Sequence, residues 1–182
     1  MKKKNKEIKI VAPGRTCLFG DHQDYLGLPV IACAITKYIN LNAYENSSFV
    51  FIIQLPDIGE ERIIDIYDDF KILEKRDYFA SSLKVLKRYG CLPDKGFNIT
   101  ITGDLPINAG LSSSSALIVA WIRFLLEGFG SNHKTTPELI ARIAFEAEVL
   151  EHMEPGGIMD QYAISIGNVI FINTNEKASY KI

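Results

Sequence analysis

A chain of 182 residues, 47% hydrophobic and 23% charged, has room for one globular domain and lies outside the composition range of disordered segments. Its formal net charge of -2 gives no general attraction to nucleic acid or to anionic lipid, so neither is an expected partner. The three cysteines, Cys17, Cys33 and Cys91, are odd in number and form no CxxC pair. That argues against a disulfide framework or zinc site and for reduced, buried thiols in a cytoplasmic protein.

Taken in chain order, Ile8 to Ala12 predicts an opening strand that ends at the turn signal Pro13-Gly14. Val30 to Ala34, Ile39 to Tyr44 and Phe49 to Leu55 are β-branched or aromatic runs and predict three further strands. After a turn at Asp57-Ile58-Gly59, Arg62 to Ile66 pairs back as a hairpin. Tyr78 to Tyr89 has helical spacing, with Phe79, Leu83 and Leu86 on one face and Gly90 at the stop. Phe97 to Thr102 alternates strictly, the mark of a half-buried strand.

A loop, Gly103 to Gly110, leads to an apolar helix from about Ser113 to Gly128. Its core, Ala116 to Leu126, carries Arg123 and is too short to cross a bilayer. The charged start, Met1 to Glu7, is not followed by the apolar run of a signal peptide. Thr135-Thr136-Pro137-Glu138 combines a hydroxyl cap, an early proline and an early acid, and predicts a helix to about His152. A short helix near Met159 to Ile166 and a strand at Val169 to Asn173 follow. Strands first and helices later favour an α+β arrangement over a doubly wound sheet.

Three segments carry chemistry. Between a strand and a buried helix lies Pro106-Ile107-Asn108-Ala109-Gly110-Leu111-Ser112-Ser113-Ser114-Ser115-Ala116. Helix N-terminal amides bind phosphate, Gly110 permits close backbone approach, and a hydroxyl can reach magnesium. The competing reading is a serine-capped helix without a ligand. There is no lysine in the Walker A position. The second segment, Pro13 to Tyr25, sets Arg15, Asp21, His22 and Asp24 between glycines, a donor and acceptor set suited to a polyhydroxylated ligand or to a polar surface loop. The third, Ala147 to Gln161, holds a metal-like Glu151-His152-x-Glu154 that also reads as a solvated helix end. It further places Asp160 among Ile158, Met159 and Tyr162, where a carboxylate is paired or functional.

In this order the three segments resemble the motifs of the GHMP kinases, most nearly those of the galactokinases. Pro13-Gly14-Arg15 through Gly20-Asp21-His22-Gln23-Asp24-Tyr25 resembles the galactokinase signature, Ala109 to Ser114 the family's phosphate loop, and Gly157-Ile158-Met159-Asp160-Gln161 the segment with the catalytic aspartate. The resemblance implies the family's N-terminal domain over 1–182: an α+β fold like ribosomal protein S5 domain 2, with a mixed or antiparallel sheet and helices packed on one side. It implies a kinase that uses ATP and Mg2+ to phosphorylate a sugar hydroxyl, with the anomeric position favoured.

By the same resemblance, Asp160 accepts or orients the hydroxyl proton and Arg15 stabilises charge on the transferring phosphoryl group. Asp21, His22, Gln23, Asp24 and Gly157 bind the sugar. Asn108, Ala109, Gly110, Leu111, Ser112, Ser113 and Ser114 cradle the nucleotide phosphates, and Ser114 with Glu148 holds the metal. Galactokinases usually carry Glu at the place of Asp21, Thr at Gln23, Asn-Gly-Gly at Leu26-Gly27-Leu28 and Cys at Gly156, which leaves hexose, uronic acid and heptose all open. The resemblance also implies that the family's C-terminal domain, with its glycine-rich third motif, lies outside these 182 residues and is expected to complete the active site. Alone, the 182 residues are expected to have an open cleft and weak turnover. Two rivals are a mevalonate- or homoserine-type kinase and a non-catalytic sugar-sensing or partner-binding domain of the same fold.

Overall fold

The computed structural model describes residues 6–106, 110–175 and 178–182. The order of elements is β1 (Glu7–Phe19), β2 (Val30–Glu45), β3 (Val50–Leu55), β4 (Glu60–Asp65), α1 (Tyr78–Arg88), β5 (Phe97–Gly103), α2 (Ser113–Phe129), α3 (Pro137–Phe145), α4 (Met159–Ile166), β6 (Val169–Asn173) and β7 (Ser179–Lys181). The seven strands among the described residues form one sheet in the order β4-β3-β5-β2-β6-β7, with β1 paired along the other side of β2. Every pairing is antiparallel except that of β3 with β5. This is the expected α+β class.

β1 does not stop at Pro13-Gly14. It runs on to Phe19 and absorbs the turn signal as an irregularity between Pro13 and Arg15. A proline survives in this strand because β1 is at the edge and Pro13 need not donate to a second neighbour. The two strands expected at Val30 to Ala34 and Ile39 to Tyr44 are one 16-residue strand, β2. Its first part pairs with β6 and its second with β5, so the exposed Thr36-Lys37 interval is a change of partner.

The helices lie on one face of the sheet. Alternation brings Ile8 and Ile10 of β1, Leu41 and Ala43 of β2, Phe51 and Ile53 of β3, and Phe97, Ile99 and Ile101 of β5 into one buried layer. α2 packs on that layer and is itself overlaid by neighbouring helices, so Trp121, Phe124 and Leu125 are fully buried. Phe51, Phe97, Trp121 and Phe124 form the aromatic centre, with ring centroids 5.2–6.5 Å apart and mostly edge-on. The indole N–H of Trp121 donates to the Phe79 carbonyl at 3.2 Å, which satisfies its polar handle. Among the described residues no helix is long and apolar enough to cross a membrane. Cys91 is buried as expected, whereas Cys17 and Cys33 are partly exposed; all three are free thiols.

The helix that begins at Pro137 has the predicted start: the Thr136 hydroxyl accepts from the Leu139 amide at 3.2 Å, with Pro137 at the first helical position. It does not continue to His152 as a regular α-helix. After Phe145 the chain widens into one π-helical turn, Glu146–Leu150, and the helix ends there. Because Thr136 anchors the element that delivers this turn, Thr136→Ala is expected to lower stability by about 1 kcal/mol. That is a fall in Tm of roughly 2–4 °C, measured by calorimetry.

Candidate active site

A cleft of about 680 Å³ opens where the end of β1, the start of α2, the π turn and the start of α4 converge. Its walls include Arg15, Asp21, His22 and Asp24 from the first chemical segment. Ser113, Ser114 and Ser115 come from the second, and Glu148, Gly157, Asp160 and Gln161 from the third. Residues far apart in sequence thus share one space. Gln23 lies outside the cleft lining and is exposed. Asn108 and Ala109 lie outside the described residues.

Arg15 follows the irregularity in β1 and enters the cleft floor. Its Nε donates to Asp160 Oδ1 at 2.7 Å and its Nη2 to Asp160 Oδ2 at 2.8 Å, a bidentate charge-assisted pair. The third arm, Nη1, donates to the Gly110 carbonyl at 2.7 Å, and the Arg15 amide donates to the Leu111 carbonyl at 3.2 Å. Gly110 (φ +69°) and Ser112 (φ +54°) are both left-handed, so the loop turns sharply before α2 begins. Ser112 stands at the N-cap position of α2 yet makes no side-chain cap; its hydroxyl donates instead to Asp160 Oδ2. Asp160 therefore has three donors, one on Oδ1 and two on Oδ2. A carboxylate has about four lone-pair positions, which leaves an acceptor position on Oδ1.

Asp24, in a single 3-10 turn, crosses to the other side of the site. Its Oδ2 accepts from the Met159 amide at 3.1 Å, so it serves as a distant cap for α4, whose own N-cap residue, Ile158, makes none. A Cβ on Gly157 would collide with this carboxylate, so a larger residue there would displace the Asp24 side chain. Asp21 and His22 sit at the cleft rim, 3.6 Å apart and largely exposed, with His22 in the left-handed region (φ +61°).

Glu148 is in a different environment. Ser114 and Ser115 both donate to its Oε1 at 3.0 Å, and Gln161 Nε2 donates to its Oε2 at 2.7 Å. Burial pushes this carboxyl above its ordinary value; the donors Gln161, Ser115 and Ser114 oppose the shift, and the nearby Asp160 charge adds to it. Its hydrogen-bonding partners are neutral. A serine hydroxyl beside a single carboxylate is a hard oxygen pair, the donor set from which a magnesium–nucleotide site takes its one or two protein ligands. No group of three or more His, Cys, Asp or Glu that could hold a metal ion gathers among the described residues, this cleft included. The metal-like Glu151-His152-x-Glu154 run resolves into ion pairs, Glu151 with Lys84 and Arg88, and Glu154 with Arg76. The His152 ring packs edge-on against Tyr78.

Sequence reasoning did not single out Ser115 or Gln161 as partners of Glu148. Ser115 is one of four consecutive serines, and only the helical phase of α2 selects which of them face the π turn. Gln161 had a usable signal, an amide directly after Asp160 in an otherwise apolar turn; it is 2% exposed.

The GHMP kinases N terminal domain profile matches residues 77–168, and the galactokinase galactose-binding signature matches residues 2–42. The chain belongs to the GHMP kinase family, a family of small-molecule phosphotransferases. Galactokinase of Lacticaseibacillus casei (strain BL23) is 33% identical over 171 residues, which are 90% of this chain and 43% of that protein. Galactokinase of Thermotoga maritima is 33% identical over 173 residues, 92% of this chain and 47% of that protein. The chain thus spans about half the length of the curated relatives it matches. Among solved structures, Lactococcus lactis galactokinase complexed with galactose superposes with a TM-score of 0.84 at 25% identity, over 98% of this chain and 47% of that one. Methanococcus jannaschii mevalonate kinase shares the fold with a TM-score of 0.80 at 21% identity, over 97% of this chain and 55% of that one.

A buried carboxyl whose folded-state pKa is raised binds its proton more tightly in the native state. Stability therefore falls as pH rises from the ordinary value near 4.5 through the raised one. Glu148→Gln removes that cost. In the absence of divalent metal, the variant's Tm should match wild type near pH 4.5 and exceed it increasingly toward neutral pH, as followed by thermal melts across pH. A difference that does not change with pH would contradict the raised carboxyl.

Proposed function

We propose that this chain is the substrate- and nucleotide-facing domain of an ATP-dependent sugar kinase of galactokinase type, which transfers the γ-phosphoryl group to a sugar hydroxyl, the anomeric one favoured. The observation that carries this reading is Asp160, held bidentately by Arg15 and by Ser112 in a cleft shared with Asp21, His22 and Asp24. The substrate hydroxyl donates to the remaining acceptor position on Asp160 Oδ1. As the hydroxyl oxygen bonds to the γ-phosphorus, its proton passes to Asp160, the bond to the β-phosphate oxygen breaks, and ADP leaves with that electron pair. Arg15, fixed beside Asp160, would compensate negative charge that develops on the transferring group.

The loop residues Gly110 to Ser114, together with Asn108 and Ala109, are assigned to the nucleotide phosphates at the N-terminus of α2. Ser114 and Glu148 would hold magnesium, which when bound neutralises phosphate charge. Asp21, His22 and Asp24, with Gly157 beside the Asp24 carboxylate, are assigned to the sugar; Gln23, outside the cleft lining, holds their turn through backbone hydrogen bonds with Gly20, Leu26 and Leu28. The polar rim favours a polyhydroxylated substrate over mevalonate, which has fewer hydroxyls to satisfy. The relatives' greater length supports a second domain that completes the nucleotide side and excludes water.

Titration with galactose, other hexoses, uronic acids, heptoses and mevalonate, read by ligand-observed NMR, should find a sugar that binds and mevalonate that does not. Asp160→Asn should keep sugar affinity within a few-fold while phosphoryl transfer, followed by phosphorus NMR, drops by on the order of 100-fold or more. Preferential mevalonate binding, or transfer undiminished in Asp160→Asn, would overturn the assignment. Gly157→Ala, by displacing the Asp24 carboxylate, should weaken sugar binding at least 10-fold with the phosphate loop intact; wild-type sugar affinity in this variant would remove Asp24 and Gly157 from the sugar site.

A further inference from the structure

Glu148 is held from three directions, and the three donors are not equivalent. Ser114 and Ser115 both address Oε1, whereas Gln161 alone addresses Oε2. Hydroxyls rotate freely and can turn a lone pair toward an incoming cation. A primary amide facing a carboxylate cannot do this: only its N–H side is attracted, so Nε2 must point at Glu148 and Oε1 must point away. The orientation has a cost that is visible in the structure, because Gln161 Oε1 is buried with no hydrogen-bonding partner. A glutamine placed only to fill the core would be better replaced by an apolar side chain than left with a stranded acceptor.

We propose that Gln161 is a positioning residue for the metal site: it anchors Glu148 Oε2 so that Oε1, beside the Ser114 hydroxyl, is the oxygen presented to the divalent cation. This rests on the reading of Glu148 and Ser114 as metal ligands. The geometry adds a linkage between the two halves of the site. Asp160 and Gln161 are consecutive in the first turn of α4, so one turn of helix carries the group facing the substrate hydroxyl and the group that orients the metal carboxylate. Asp24, bonded to the Met159 amide of that turn, fixes its start. The position of α4 relative to the π turn therefore sets the separation of base and metal.

The test uses Mn2+ with a non-hydrolysable ATP analogue, bound Mn2+ being read by electron paramagnetic resonance on the 182-residue chain. Gln161→Met keeps length and apolar volume but removes the donor. It should weaken Mn2+ binding about 10-fold or more, the effect typical of losing a group that orients a metal ligand, while metal-free sugar binding stays at wild-type level. Wild-type Mn2+ affinity in Gln161→Met, with Glu148→Gln impaired, would overturn the positioning role and leave the metal assignment standing. Wild-type Mn2+ affinity in Glu148→Gln would overturn both. Should Gln161→Met fail to fold, the wild-type chain gives the answer: the Gln161 side-chain amide resonances should shift when Mg2+ is added with the analogue, and resonances that stay in place would overturn the proposal.

Discussion

The Arg15 guanidinium holds three pieces of chain that share no sequence neighbourhood. Two of its nitrogens grip Asp160 at the start of α4, and the third holds the Gly110 carbonyl in the loop before α2, all from a strand at the sheet edge. Only a planar fork with donors in fixed directions can meet a carboxylate bidentately and still reach a carbonyl. A lysine presents all its donors from one nitrogen, so it could not meet the carboxylate bidentately and hold the Gly110 carbonyl in this arrangement. Because the pair is mostly screened from water, with side-chain exposures of 12% and 25%, breaking it from one side strands a charge.

Asp160 and Glu148, two of the carboxylates that line the cleft, sit in different surroundings. Asp160 has a cationic fork and a hydroxyl, so its charge is compensated within the protein. Glu148 is buried with hydroxyl and amide donors alone, and burial pushes its carboxyl up. Two acids in one cleft thus have different partners, and the proposed roles of substrate-facing and metal-facing carboxylate rest on that difference. The π turn delivers the second: a helix widened by one residue at Glu146–Leu150 re-aims the side chains that follow Phe145.

Much of the fold was legible because it rests on periodicity. The alternation of Phe97 to Thr102, the helical spacing of Tyr78 to Tyr89 and the cap at Thr136 are local signals, and α4 and β6 appear with the bounds their patterns indicate. The failures are also local. Pro13-Gly14 signals a turn only where both neighbours demand ladder hydrogen bonds, and an edge strand relaxes that demand. Likewise Thr36-Lys37 looked like a gap between strands because β2 changes partners there, an exchange that no single-strand pattern encodes.

By itself the sequence determined the strand-then-helix class, the burial of α2, and the three chemical segments with the residue types they carry. These follow from side-chain hydrophobicity and from backbone preferences that act over a few residues. Only the tertiary structure decided how those residues are used. It turned Ser112 from a helix cap to a partner of Asp160, Asp24 to a remote cap of α4, and Gln161 to Glu148. It also moved Gln23 out of the cleft. Each outcome depends on which donor lies within about 3 Å of which acceptor, and such distances are set by chain segments more than a hundred residues apart as readily as by neighbours.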